Sequence, residues 1–270
     1  MLNNKNRFRI ARDETMGDGL ARVTKELISC MLECLKSYPE NLEAIHQTRV
    51  ACKRLRSIAK LLKKNLPKAA KQLNAEIRDI ARLLSLQRDA EVKLEVIHQL
   101  LKDADESQQH LLQQLVEHYQ AGAIDQQIIE KNVELAKEKA TALAEVVNGW
   151  KFKNINETKI IKSLNNEFEL VKEGYKDNRK EPDPVDMHTW RKYTKTCLYQ
   201  SQILETHLKA KYAQPIEKLK KLGTLLGHYH DLVLILEDIE EPVINDSSET
   251  EQTLLKDFIE SLQAKLIKKF

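Results

Sequence analysis

The chain has 270 residues, 41% of them apolar and 31% charged, with 44 basic against 41 acidic side chains and a net charge of +3. That is enough apolar mass for packed cores, and too balanced a charge for a disordered polycation, so any basic function must come from where the cations sit. Only 7 Gly, 6 Pro and 5% aromatic residues, with no alternating β-branched runs, indicate helices rather than sheets.

The four cysteines, Cys30, Cys34, Cys52 and Cys197, form no CxxC pair. The first residues lack the apolar run of a secretory leader, and no stretch reaches the ~18 apolar residues of a membrane span, so the expectation is a cytoplasmic, reduced protein with no membrane partner. Cys30 and Cys34 lie one helical turn apart. They read as core residues, since no Cys/His set with ligand spacing accompanies them, and no metal or other cofactor is expected.

In chain order, the first dozen residues are polar and expected to be poorly ordered. A helix over 14–37 carries Leu20, Val23, Leu27, Met31 and Leu35 on one stripe, and Pro39 closes it. A second helix covers 41–66 and ends at Pro67. A third starts near residue 68, with Leu73, Ile77, Ile80, Leu83 and Leu84 inward and Lys71, Arg78 and Arg82 on another face; it leads through Arg88 and Asp89 toward Ile97. Asp89 reads as the ion-pair partner of a neighbouring cation, with a catalytic carboxylate as the sharper reading. Residues 103–110 form a polar joint, and a long helical region broken near Gly122 runs to 149. Helices are then expected over 157–173, 185–209 and 215–240, followed by a linker at 241–248 and a last helix ending at 270. This gives four main helices per half and an all-α fold of two four-helix bundles, over 14–150 and 155–270.

The second helix carries the chemistry. With His46 at 0° and about 100° per residue, Arg49, Lys53, Arg56 and Lys60 fall within an arc of about 80° that includes His46. Arg54 falls at about 80° on the same wheel, at the edge of the apolar face. The stripe has almost no acidic compensation. Part of it occurs twice: a constant offset of 142 carries His46, Arg49 and Lys53 onto His188, Arg191 and Lys195, and Leu83-Leu84 onto Leu225-Leu226. Two separated motifs with one offset point to a duplicated unit.

These residues, His46-x-x-Arg49-Val-x-x-Lys53-Arg54-Leu-Arg56, Leu83-Leu84…Arg88-Asp89, His188-x-x-Arg191-Lys192-x-x-Lys195…Tyr199 and Leu225-Leu226-Gly227…Asp231, resemble the CHAD family, the conserved histidine α-helical domain. The resemblance covers roughly residues 14 to 270. It implies two four-helix bundles related by a pseudo-twofold axis, with a basic groove or channel that binds inorganic polyphosphate. Carried over by position, the ligand-facing residues are His46, Arg49, Lys53, Arg54, Arg56, Arg78, Arg82, His188, Arg191, Lys192, Lys195 and Lys220, and the helical stripe adds Lys60. Leu198, where the pattern expects a cation, and Thr224, opposite Arg82, depart from it. The CYTH triphosphatase domain that often accompanies the family has no counterpart in this sequence, so it resembles a stand-alone member.

Polyphosphate presents repeated negative charge and no bases, so a binder needs donors at helical-turn spacing, and Arg adds bidentate contacts. Nucleic acid would use the same cations but also wants aromatic platforms for single strands; here only Trp190, Tyr193 and Tyr199 lie near basic helices, and Trp190 and Tyr193 read as packing residues. His228 and His230 point about 200° apart on a helix and cannot share an ion. No HExxH, P-loop or paired-carboxylate cluster among the cations is present, and an array of cations supplies neither a nucleophile nor a base, so the expected function is binding without catalysis. The alternatives are a binder of nucleic acid or another polyanion, or a scaffold located on polyphosphate granules.

Overall fold

The computed structural model describes residues 7–41, 43–122, 125–150, 152, 154–179, 182–208, 213–240 and 249–270. The expected linker at 241–248 and the side chains of Arg88 and Asp89 lie outside that description. Among the described residues the secondary structure is helical throughout: α1 Met16–Lys36, α2 Ala44–Leu62, α3 Pro67–Leu83, α4 Ser85–Leu100, α5 Glu106–Ala121, α6 Gln126–Asn148, α7 Glu157–Asn178, α8 Pro184–Ile203, α9 Ala213–Glu240 and α10 Glu249–Ile267. The sequence expectation of four helices per half is met after residue 155, but six fall before residue 150.

Local chemistry sets these bounds. Thr15 caps α1, its hydroxyl accepting from the Asp18 amide at 3.1 Å. Pro67 opens α3 at a position that needs no N–H. The continuous helix expected from residue 68 past Asp89 breaks instead at Leu84, where φ is −102° and ψ is 11°. There the Ser85 hydroxyl donates to the Arg82 carbonyl at 2.8 Å, giving the backbone an alternative to the next helical bond. The polar joint at 103–110 is shorter than expected: Asp105 and Gln108 form a capping box that starts α5 at Glu106.

Duplication is visible in the element bounds. Shifted by the offset that carries His46 onto His188, α1 would cover 158–178, against Glu157–Asn178 for α7. Likewise α2 would cover 186–204, α3 and α4 together 209–242, and α5 would begin at 248, against Pro184–Ile203, Ala213–Glu240 and Glu249 in α8, α9 and α10.

The chain forms two compact units, each drawing segments from both halves of the sequence. The first comprises 1–85, 126–172 and 192–220. Its core holds the predicted α1 stripe, all of it buried, with Leu55, Ile58 and Leu61 of α2, Leu73, Ile77 and Ile80 of α3, and Val133, Ala136 and Leu143 of α6. Residues 7–12, expected to be poorly ordered, are part of this unit. Phe8 is buried and Ile10 is 0% exposed, with the Ile10 amide donating to the Ile203 carbonyl at 2.9 Å. Gly19 makes the room, since a Cβ there would run into Ile10. The apolar alternation of Phe8 and Ile10 is hidden in the sequence by flanking arginines.

The second unit comprises 86–125, 173–191 and 221–270. Ile97, Leu111, Leu112, Leu115, Ile235, Leu255 and Ile259 build its main core. Trp190, 1% exposed, packs with Met187, Leu226 and Tyr229 in a smaller one, edge-on to Phe270 at 5.4 Å. Lys93 binds Asp238 at 2.6 Å, and the Tyr119 hydroxyl donates to the other oxygen of the same carboxylate. These bonds tie α4, α5 and α9 together.

Candidate functional site

Eleven of the thirteen predicted site residues lie in the first unit, and His188 and Arg191 lie in the second. In the first unit, α2 carries Arg49, Lys53, Arg54, Arg56 and Lys60 and no carboxylate between Ala44 and Leu62. Two hydrogen bonds set its basic side beside that of α3. Arg49 Nη1 donates to the Ala81 carbonyl at 3.2 Å, and Arg56 Nε donates to Asn74 Oδ1 at 3.3 Å. Asn74, Arg78 and Arg82 recur every four residues along α3, so they line one face. Lys53, Arg56, Arg78 and Arg82 are exposed, while His46 and Arg49 are half-buried. Its chain neighbour Asp79 approaches Arg78 at 3.9 Å. The result is a two-helix face rich in guanidinium and ammonium donors.

Arg54 and Lys60 belong to different surroundings. The Arg54 guanidinium lies over the Phe8 ring at 5.3 Å and the Tyr199 ring at 5.8 Å, where burial pulls its pKa below the ordinary value. This fits its position at the margin of the apolar face, away from the stripe. Lys60 lies on the stripe by angle, but its ammonium is 2.8 Å from the carboxylate of Glu167, which is only 2% exposed, and 5.5 Å from the centre of the Tyr193 ring. Its charge compensates a buried acid. No local feature of α2 announces this partner, which is 107 residues away.

The α8 residues of this unit are Lys192, exposed, and Lys195, half-buried. Gln200 pins α8 to α2 by donating to the Ser57 carbonyl at 3.1 Å. Lys220, exposed on α9, binds Glu217 one turn earlier at 2.6 Å. Leu198, which replaces an expected cation, is buried, and this accounts for the departure.

In the second unit, His188 meets His230 with ring centroids 4.5 Å apart and planes at 43°. Arg191 passes against α9 at Gly227, where a Cβ would stand 4.0 Å from Arg191 Nε. Three motif positions thus come together on α8 and α9. His230 was missed as a site residue, although the repeat offset places it at the position of Arg88, itself part of the first motif. Trp190 is walled in by Tyr175, Phe270 and Gly174 and acts as a packing residue, as expected.

Among the described residues no group of three or more His, Cys, Asp or Glu side chains could hold a metal ion. No helix is long and apolar enough to cross a membrane among the residues described.

Comparison with known proteins gives the family and the fold. The CHAD domain matches residues 26–238. The crystal structure of the CHAD domain from the plant Ricinus communis is similar to this chain with a TM-score of 0.61 and 16% sequence identity, covering 95% of this chain and 89% of the plant chain. At that identity the likeness shows the shared all-helical fold. None of the curated protein sequences matches.

Proposed function

The chain belongs to the CHAD domain family, and on that premise we propose that it binds inorganic polyphosphate, without catalysis, through the basic face of α2 and α3. The observation that carries this reading is the pairing of Arg49 with Ala81 and of Arg56 with Asn74, which holds the cations of two helices side by side with no carboxylate on α2. A phosphate chain needs repeated donors at a spacing of one helical turn, and α2 and α3 offer two adjacent rows. The motif residues of α8, His188, Arg191, Lys192 and Lys195, supply a second set. Arginine and lysine stabilise bound phosphate as donors, and neither acts as a nucleophile or base at neutral pH while its charge is retained. The reading carries a cytoplasmic location with it.

Aromatic placement favours polyphosphate over single-stranded nucleic acid. Tyr193 has the Lys60 ammonium over its ring and Tyr199 has the Arg54 guanidinium, while Trp190 is buried. All three rings are thus engaged within the fold, whereas a single-strand binder presents free aromatic platforms to the bases. The test is affinity for long-chain polyphosphate beside single- and double-stranded nucleic acid across a salt series. Polyphosphate should bind far more tightly at matched phosphate concentration, and its binding constant should fall steeply with salt as counterions are released. Equal affinity for all polyanions would reduce the face to a generic cationic surface.

A further inference from the structure

The cationic row of α2 changes character in its last turn. Arg49 and Arg56 reach toward α3, but Lys60, next on the same arc, is bound by α7. Its ammonium stands 2.8 Å from each oxygen of the Glu167 carboxylate and so straddles both. The Lys60 side chain is 41% exposed and that of Glu167 only 3%. Ser163, one turn before Glu167 on α7, donates to the Lys60 backbone carbonyl at 3.5 Å, and the Tyr193 ring of α8 lies 5.5 Å from the ammonium. Three helix segments of the first unit thus converge on one lysine.

The difference in exposure decides which partner depends on the other. A half-exposed ammonium can turn to water or to a phosphate, whereas a buried carboxylate that loses its counter-ion is left as an uncompensated interior charge. A phosphate taking Lys60 would therefore displace Glu167 and then stand beside it, like charge against like. The end of α2 opposes an anion as well, because Lys60 lies in the last turn, where the backbone carbonyls carry negative partial charge. Arg56, by contrast, bonds the neutral Asn74. The acid is no part of the repeated plan either: at the repeat offset Lys60 and Glu167 correspond to Gln202 and Lys25, a pair without a carboxylate.

We propose that Glu167 sets the length of the polyphosphate site: it withholds Lys60 from the phosphate chain and ends the α2 row at Arg56. The inference rests on the polyphosphate reading above. Glu167 touches no ligand and acts through Lys60 alone. Replacing its carboxylate by an amide of the same shape releases the lysine and lengthens the site by one phosphate contact.

The test is long-chain polyphosphate affinity across a salt series for the full chain as wild type, Glu167→Gln and Glu167→Gln/Lys60→Met, with helix content followed by circular dichroism. Glu167→Gln should bind roughly 5-fold more tightly at low salt, with a log–log slope steeper by about one, because one more phosphate is neutralised. The double variant keeps the wild-type net charge and should return to wild-type affinity and slope. A gain that persists in the double variant would assign the effect to something other than Lys60 and overturn the proposal, as would unchanged affinity and slope in Glu167→Gln. A second measurement decides the matter if Glu167→Gln fails to fold: in wild type carrying lysine labelled with carbon-13 at Cε, short-chain polyphosphate should shift the NMR signal of Lys53 and leave that of Lys60 in place. A Lys60 signal that moves as far as that of Lys53 overturns the proposal. Polyphosphate binding by none of the three proteins would overturn the functional reading and this inference with it, whereas binding that ignores Glu167 overturns this inference alone.

Discussion

The two copies of the motif differ most at one register, where their chemistry is opposite. In the first, Arg56 and Asn74 form an exposed hydrogen bond across α2 and α3. Their counterparts in the second copy are Leu198 and Ile216, each 5% exposed. The same backbone plan thus presents a polar bridge within a cationic face in one copy and buries two aliphatic side chains in the other. Other pairs follow suit. Arg82 is exposed where its counterpart is the neutral Thr224, and Arg78 corresponds to Lys220, which binds Glu217. The lesson is that a duplicated helix plan does not carry a duplicated surface: α2 and α3 keep the cation array, while α8 and α9 keep the motif core and lose much of its charge.

The largest break in this comparison should come from reversing the one arginine both copies retain. Arg49→Glu combined with Arg191→Glu should lower polyphosphate affinity by roughly 1000-fold at low salt, since charge-assisted contacts contribute about 1.5–3 kcal/mol each. Circular dichroism should show helix content retained, and undiminished affinity would remove both residues from the site. The copies also differ in packing. Gly174 and Trp190 stand where the first copy has Leu32 and Thr48, so the bulk has changed sides. A Cβ at Gly174 would run into the Trp190 indole, and Gly174→Ala should destabilise the protein by about 2 kcal/mol in denaturant unfolding. An unchanged midpoint would show that the indole has room to move.

A smaller effect should appear at the entry to α1. Arg22 binds Glu14 at 2.6 Å and Glu26 at 2.5 Å, whereas the second copy has Leu164, Asn156 and Phe168 at these positions. The Arg22 hydrogen bond holds the Glu14 carboxyl at about 2, below its ordinary 4.5. A depressed carboxyl contributes stability above its unfolded pKa and loses it as pH falls through the folded one. The advantage of wild type over Glu14→Gln should therefore be complete, at about 1 kcal/mol, above pH ~5 and vanish toward pH ~2. A pH-independent difference in melting would contradict this assignment. The smallest change is expected at Lys220, whose charge Glu217 already meets: Lys220→Ala should lower polyphosphate affinity by less than about 3-fold. A loss as large as that from an exposed α3 arginine would restore symmetry between the copies.

Much of this was legible in the sequence because helical periodicity and a constant repeat offset are local signals. The α1 stripe, the α2 arc and the shared face of Arg78 and Arg82 follow from about 100° per residue. What stayed hidden depends on partners distant in the chain. Lys60 sits on the stripe by angle, and only the fold brings it to Glu167. Ile10 looks like part of a basic tail until Gly19 and Ile203 supply its pocket. Helix breaks were hidden for a different reason. At Leu84 a serine hydroxyl competes for the Arg82 carbonyl, while at the matching Leu226 the next residue is Gly227 and α9 runs on.

The most direct test of the basic face is the salt dependence of polyphosphate binding in two paired variants, Arg78→Ala/Arg82→Ala and Arg191→Ala/Lys195→Ala. If α2 and α3 carry most of the phosphate contacts, the first pair should lose affinity by at least about 30-fold and flatten the log–log salt slope by about two. The second pair should lose less on both counts. An unchanged slope and affinity in Arg78→Ala/Arg82→Ala, with the loss confined to the α8 variant, would contradict the account.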